Sequence, residues 1–188
     1  MALTTIDPTS ALVVIDLQKG IVPAFTDDQI TATVKQATHL AAEFRRHGLP
    51  VVLVNVTGRA PGRTEAGRSG RGAALPSGWA DLIDELDVQP TDHLITKRRR
   101  SAFHDTGLDT LLRDLGVTQV VLAGISTSSG VESTARSASD YGYHVVLATD
   151  AMADSDADTH RHSVERIFPK LGETATAAEV TDMLEATR

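Results

Sequence analysis

Residues 119–154 read QVVLAGISTSSGVESTARSASDYGYHVVLATDAMAD, and this stretch decides the fold. An apolar run at 120–123 is followed by a small polar turn at 125–130, a helical pattern from Val131 and a second apolar run at 144–148. This order of strand, tight turn, helix and strand predicts one βαβ unit of a parallel sheet. Ligands of such sheets bind outside the carboxyl ends of the strands. The turn would offer backbone N–H groups at a helix N-terminus there, which suits an anion or a developing oxyanion.

The rest of the chain continues the alternation of apolar runs and amphipathic stretches. We predict strands at 11–17, 51–56, 93–96, 118–123 and 144–148. We predict helices at 26–47, 108–115, from 131 onward, 160–168 and 176–187, with a short helix or turn at 79–86. The order predicts an α/β fold with three layers, αβα, around a central and mainly parallel, Rossmann-like sheet. One domain spanning 1–188 is expected, with a flexible Gly/Arg-rich loop at about 58–76.

Composition excludes several classes of function. The 188 residues carry a formal net charge of -7, so no basic excess exists to neutralise nucleic-acid phosphates. There are no cysteines, which removes disulfides, thiolate metal sites and thiol nucleophiles together. No signal-peptide pattern and no apolar run of membrane-spanning length are visible, so a cytoplasmic protein without a membrane partner is expected. No GxGxxG or Walker-type loop is present, and we expect no cofactor.

Charged residues occupy two strand ends and one loop. Asp16 closes the first apolar run and Lys97 closes the third. Asp16 could serve chemistry, or it could be a structural cap on a neighbouring turn. The loop at 58–76 is either a plain surface loop or a lid that brings arginines over an anionic substrate, because the arginine fork donates two parallel hydrogen bonds to a carboxylate. Its candidate arginines are Arg59, Arg63, Arg68 and Arg71.

These features together resemble the isochorismatase-like hydrolase superfamily, also called the cysteine hydrolases. The segments that carry the resemblance are ALVVIDLQKGIV (11–22), ITKRRRSAFHDTGLDTLLRDLGV (95–117), LAGISTSSGVESTARSASDYGYHVVLATDAMAD (122–154) and DADTHRHSVERIFPKLG (156–172). The resemblance implies catalytic roles for Asp16 and Lys97, a cis peptide bond at Ile125–Ser126, and a homodimer or larger homo-oligomer.

One position departs from the family pattern. Gly130 stands where the amidase members of the superfamily carry the nucleophilic cysteine, so the usual acyl-enzyme route is closed. A glycine there would leave room for a bulkier substrate or let its atoms approach the backbone closely. Ser128 and Ser129 are nearby hydroxyls, but neither has an evident activating base. The metal ligands of the nicotinamidase branch are missing after the second strand, and the spacing of His160 and His162 does not indicate a zinc site.

True isochorismatases cleave a vinyl ether without a cysteine, and some carry glycine at this position. The resemblance therefore implies a hydrolase in which Asp16 is a general acid and Lys97 holds it, acting on a small, anionic, carboxylated or vinyl-ether substrate. Two alternatives stay open: an inactive amidase-derived scaffold that binds a ligand or partner, and an amide hydrolase that uses water or a serine. The candidate substrate-binding residues are Ser126, Ser129, Phe25, Arg59 and Arg63.

Overall fold

A computed structural model describes residues 3–58, 62–65 and 75–187. Its centre is a single six-stranded sheet in which every neighbouring pair of strands is parallel. The strands are β1 (Ser10–Ile15), β2 (Val51–Val56), β3 (His93–Lys97), β4 (Gln119–Ile125), β5 (His144–Ala153) and β6 (Glu173–Ala175). They lie in the order β3-β2-β1-β4-β5-β6, so the sheet grows outward from β1 in both directions. The predicted α/β fold is therefore confirmed.

Helices cover both faces of the sheet. They are α1 (Asp27–Arg46), α2 (Leu108–Asp114), α3 (Glu132–Asp140), α4 (Ala157–His162) and α5 (Ala177–Ala186). Alternate residues of the central strands point to opposite faces, which gives two apolar clusters. One cluster joins β1, β2, β4 and β5 to α1 and α5. The other joins the opposite faces of the same strands to α2 and α3. Both faces are thus buried, as the continuous apolar runs of a parallel sheet require.

Two expectations for individual elements need correction. The sheet has a sixth strand, β6, which the sequence did not reveal. The helix expected at 160–168 is present but begins earlier, at Ala157. It starts as α4 and continues as a π-helical segment at Ser163–Ile167 and a short 3-10 segment at Phe168–Lys170. The short helix or turn expected at 79–86 is confirmed: the segment is mostly turn, with one short 3-10 turn at Asp84–Leu86.

Most of the Gly/Arg-rich loop lies outside the described residues, including Arg59, Arg68 and Arg71. The extent of the domain over 1–188 therefore stays a prediction. Within the described part of the chain, no helix combines the length and the apolar character that a membrane crossing needs.

Gly124 allows β4 to approach β1 closely at the carboxyl ends of the two strands. It has a φ of 111°, and a Cβ atom there would lie 2.1 Å from the carbonyl oxygen of Ile15. Only glycine fits such a close approach of β4 to β1. The register between β4 and β5 shifts at the same place, between Leu122 and Gly124. The carboxyl ends of β1 and β4 therefore lie in direct contact, where Asp16 and the turn at 126–130 follow.

Candidate active site

Asp16 and Lys97 form a buried ion pair at the carboxyl edge of the sheet. The Lys97 Nζ donates to Asp16 Oδ2 over 2.6 Å, although β2 lies between their strands. The side chains are only 9% and 2% exposed for Asp16 and Lys97, respectively. Asp16 has a φ of 54°, and its backbone N–H donates to Val54 in β2. This left-handed residue turns the chain out of β1 directly at the edge, which places its carboxyl group over β2.

The Asp16 carboxyl group is tuned by two opposing effects. Burial disfavours the charged form and raises the pKa of Asp16, whereas Lys97 lowers it through its charge and its hydrogen bond. Burial is the larger effect, and the resulting pKa is about 6. The other carboxyl oxygen, Oδ1, is buried and has no hydrogen-bond partner in the described part of the molecule. Such a group can hold a proton near neutral pH and deliver it to a neighbouring atom.

Gly130 lies directly against this carboxyl group. A Cβ atom at Gly130 would be 3.0 Å from Asp16 Oδ2, 3.0 Å from Ile15 Cγ2 and 3.3 Å from the carbonyl oxygen of Ile125. These separations are tighter than ordinary van der Waals contact. The space beside Gly130 is therefore taken up by the Asp16 carboxyl group rather than left open.

The 126–130 turn connects β4 to α3 and supplies several hydroxyl groups. It begins with a cis peptide bond at Ile125–Ser126, which confirms that expectation. Ser126 and Ser129 are half-buried, and neither side chain forms a hydrogen bond with the residues that the structure describes. The two hydroxyls between them are engaged: Thr127 pairs with the His160 ring at 2.8 Å, and Ser128 donates to Asp154 at 2.7 Å.

The other candidate substrate-binding residues differ in position. Phe25 is buried in the apolar cluster shared by α1 and α5. Arg63 is exposed in the short described part of the loop. Arg59 lies outside the described residues. The structure thus brings Asp16, Lys97 and Gly130 together, while contact of Phe25 or the arginines with a substrate stays a prediction.

Comparison with known proteins identifies the family of this chain. Residues 10–179 match the model of the isochorismatase domain. The chain belongs to the isochorismatase family. It is 40% identical to the isochorismatase family protein YwoC of Bacillus subtilis over 182 residues, which cover 94% of each chain. It is 28% identical to maleamate amidohydrolase of Pseudomonas putida over 184 residues, covering 93% of this chain and 86% of the relative.

A solved structure is also similar to this isochorismatase-family chain. An isochorismatase family protein from Burkholderia thailandensis superposes with a TM-score of 0.89 at 39% identity, covering 96% of this chain and 98% of the other. Membership of the family and the amidohydrolases among its members support a hydrolase role.

Gln18, close to Asp16 in the chain, was not identified from the sequence, although it fixes the end of β2 beside the site. Gln18 is fully buried, and its side chain binds Val56 at both ends: Oε1 accepts from the backbone N–H at 2.6 Å and Nε2 donates to the carbonyl at 3.1 Å. It thereby pairs with the end of β2 as a strand neighbour would. Trp79 packs across Gly20 in the next turn, where a Cβ atom would lie 2.1 Å from the indole ring. The position of Gln18, a polar residue two places after Asp16, could have identified it from the sequence.

Asp154 and His160, which hold the 126–130 turn from outside the site, were also not identified from the sequence. Asp154 follows the end of β5, so the reasoning that selected Asp16 at a strand end applied to it equally. His160 was considered only as a metal ligand. Its pairing with Thr127, 33 residues away in the chain, leaves no periodic signal in the sequence.

One group of side chains in the described residues has the spacing of a metal site, and it lies elsewhere. Glu43, His47 and Glu185 come together where α1 ends and α5 ends. Arg46 already pairs with both Glu43 and Glu185. Because α1 leaves the carboxyl edge of the sheet and returns to the opposite one, this group is remote from Asp16.

Proposed function

We propose that this protein is a cysteine-independent hydrolase in which Asp16 acts as the general acid and Lys97 holds it. The observation that carries the proposal is the state of the Asp16 carboxyl group. One oxygen is fixed by Lys97, the other is buried without a partner in the described part of the protein, and burial raises its pKa to about 6. A carboxyl group with these properties can be protonated near neutral pH and has a free oxygen from which to deliver the proton.

The proposed substrate is a small carboxylated vinyl ether, of which isochorismate is the test case. Asp16 protonates the terminal carbon of the enolpyruvyl group, and the electron pair of the double bond forms the new C–H bond. Water then adds to the resulting oxocarbenium carbon and returns one proton to Asp16. Collapse of the hemiketal releases pyruvate and an alcohol. Lys97 favours the proton transfer because the charge that develops on Asp16 meets a cation 2.6 Å away.

The remaining candidates fit this substrate class as binding groups. Ser126 and Ser129 keep hydroxyls that form no hydrogen bond within the described residues, and they flank the engaged part of the 126–130 turn. Arg59 and Arg63 would meet the substrate carboxylates from the loop, and Phe25 would contribute apolar contact.

The proposed partners are this small anion and further copies of the chain in a homodimer or larger assembly, in the cytoplasm. Light scattering on purified protein tests the assembly.

A second candidate is amide hydrolysis by activated water, favoured by the similarity to maleamate amidohydrolase. In this reaction deprotonated Asp16 takes a proton from water, and the hydroxide adds to the amide carbon. Asp16 then returns that proton to the nitrogen, the C–N bond breaks, and ammonia and a carboxylate are released. A serine nucleophile is less well supported. The Ser128 hydroxyl donates to Asp154, and that carboxylate also accepts the Ser128 backbone N–H.

The test measures pyruvate release from isochorismate and ammonia release from maleamate. The variants are Asp16→Asn and Lys97→Met, with Asp87→Asn as the matched control. Asp87 also has a positive φ, 44°, but its side chain is exposed, so the control reproduces the backbone conformation without the site. Pyruvate release that is lost in both site variants and kept in the control supports the proposal. Ammonia release alone selects the second candidate, and neither product from the native protein rejects both.

A further inference from the structure

Two consecutive residues of the 126–130 turn are held from outside the site. The Asp154 carboxylate accepts the backbone N–H of Ser128 at 2.8 Å and its hydroxyl at 2.7 Å. Thr127 pairs with His160 Nδ1 at 2.8 Å. The Gln29 side chain donates in turn to the Asp154 carbonyl at 2.9 Å, which ties this support to α1. The 126–130 turn is therefore hydrogen-bonded to the residue that follows β5 and to α4.

The burial of Thr127 fixes the direction of its hydrogen bond to His160. Thr127 is fully buried, and within the described residues its hydroxyl has no other partner. If Nδ1 carried the proton and donated, the threonine proton would be buried without an acceptor, which is costly. The satisfied arrangement has the Thr127 hydroxyl donating to Nδ1. The neutral ring then carries its proton on Nε2.

We propose that His160 is a positioning residue: through Thr127, its neutral ring, protonated on Nε2, holds the 126–130 turn so that Gly130 stays against Asp16. A Cβ atom at Gly130 would already be 3.0 Å from Asp16 Oδ2, so a small displacement of the turn alters the surroundings of the acid. His160 itself touches neither Asp16 nor Lys97 through any hydrogen bond or ion pair among the described residues. Its effect on turnover rests on the proposed function.

The electrostatic surroundings favour the neutral ring. Burial lowers the pKa of His160, and Asp154 raises it to a lesser extent. The charged groups on neighbouring elements are Asp154, Glu132, Arg136, Glu165 and Arg166, and those on α4 itself are Asp158, Arg161 and His162. Glu132 is paired with Arg136 and Asp158 with Arg161. Asp154 is the charged group that acts on the pKa of His160. The 126–130 turn contributes no titratable side chain.

Protonation of His160 would break this arrangement. A doubly protonated ring can only donate at Nδ1, so the Thr127 hydroxyl would lose its acceptor. The proposal therefore predicts that kcat falls on the acid side as His160 gains a proton, below the ordinary histidine pKa of 6.5. On the alkaline side of the same pH profile, kcat falls because Asp16 loses the proton that it must deliver.

Kinetic variants test the effect on turnover. His160→Ala and Thr127→Val should each lower kcat by roughly ten- to a hundredfold, with little change in KM, because a displaced turn misplaces the reacting groups. The double variant should be no worse than the poorer single variant. His160→Asn, whose Oδ1 can accept from Thr127, should recover about tenfold over His160→Ala and lose the acid-side decline. His162→Asn, an exposed histidine in the same helix, is the control for general effects on α4.

Spectra of the unliganded protein test the inference without turnover. With 15N-labelled histidine, His160 should show the Nε2–H tautomer at pH 7.5. Thr127→Val should then shift both the His160 nitrogens and the Gly130 backbone amide. An Nδ1–H tautomer, or a Gly130 amide that does not respond, overturns the inference. If the native protein cleaves neither isochorismate nor maleamate, the proposed function fails, and these spectra alone decide the role of His160.

Discussion

The environment of Asp16 determines how the turnover rate should depend on pH. The general acid must be protonated, and burial raises its pKa to about 6, so kcat for vinyl-ether cleavage should fall as pH rises through about 6. Lys97 lowers this pKa. Lys97→Met should therefore move the Asp16 titration to higher pH, while lowering the rate because the developing charge loses its cation. 13C NMR of labelled aspartate follows the titration directly. A titration of Asp16 near the ordinary aspartate pKa of 3.8 would contradict the assignment.

Gly130 sets how closely the turn can approach the acid. Gly130→Ala places a Cβ atom 3.0 Å from both Asp16 Oδ2 and Ile15 Cγ2, so one of these neighbours must move. We expect kcat to fall by roughly tenfold, because the required shift is smaller than the displacement of about 1 Å that costs about a hundredfold. Overpacking should also cost about 1 to 3 kcal/mol in the free energy of unfolding.

The matched control for Gly130→Ala is Gly107→Ala. Gly107 begins α2, and a Cβ atom there would meet no heavy atom within 4 Å. The comparison separates the loss of glycine from the crowding of Asp16. Equal activity in both variants would show that the Asp16 carboxyl group tolerates a side chain at position 130.

The sequence was sufficient to predict which residues meet when those residues lie at the ends of strands. Asp16 and Lys97 could be expected to meet because the carboxyl ends of parallel strands share one edge of the sheet. The tight approach of Gly130 to Asp16 could not be expected, because it depends on the left-handed backbone at Asp16 and on the contact of Gly124 with Ile15. The pairing of Thr127 with His160 depends equally on tertiary packing.

Among the secondary-structure elements, prediction failed where an element is formed by strand pairing and not marked by a hydrophobic pattern in the sequence. β6 has three residues, Glu173–Ala175, only one of which is buried, so no apolar run marks it. It is a strand because it pairs with Val146, Leu147 and Ala148 of β5. α4 begins before its expected start because Asp156 caps it, accepting the backbone N–H of Thr159 at 2.8 Å. The longer elements carry enough periodic residues to be found directly.

The attachment of α1 to the segment before β3 should depend on one buried ion pair. Arg45 donates to both oxygens of Asp92, from Nε at 3.0 Å and from Nη2 at 2.7 Å, and the Asp92 side chain is only 1% exposed. Arg45→Ala would leave a buried carboxylate without its cation, and we expect a loss of about 3 to 5 kcal/mol in the free energy of unfolding. Arg46→Ala, next in the chain, removes an exposed arginine and should cost about 1 kcal/mol or less. Urea unfolding measures both, and equal losses would contradict the special role of Asp92.

For the whole molecule, the alternation of strands and helices was sufficient to predict the layers. Both sheet faces are apolar along the central strands, so helices must cover both, and right-handed crossovers then place the strand ends on a common edge. The order of strands in the sheet was not predicted, because alternation alone allows several arrangements. With β1 in the centre, Asp16 lies beside both β2 and β4, which is why one carboxyl group can meet Lys97 from one side and Gly130 from the other.

The burial of Asp16 should also appear in the stability of the whole molecule. The folded-state pKa, about 6, lies above the unfolded value of 3.8, so the native protein binds the proton more tightly. The resulting stabilisation is fully present below pH 3.8 and is lost as pH rises through 6. A difference of about 2 pKa units corresponds to about 3 kcal/mol. Asp16→Asn does not titrate, so the unfolding free energy of the native protein relative to this variant should fall by about that amount between pH 4 and pH 7. Urea unfolding across this range measures the difference, and a flat or rising difference would mean that Lys97 dominates over burial and that Asp16 stays ionised, which is incompatible with a general acid.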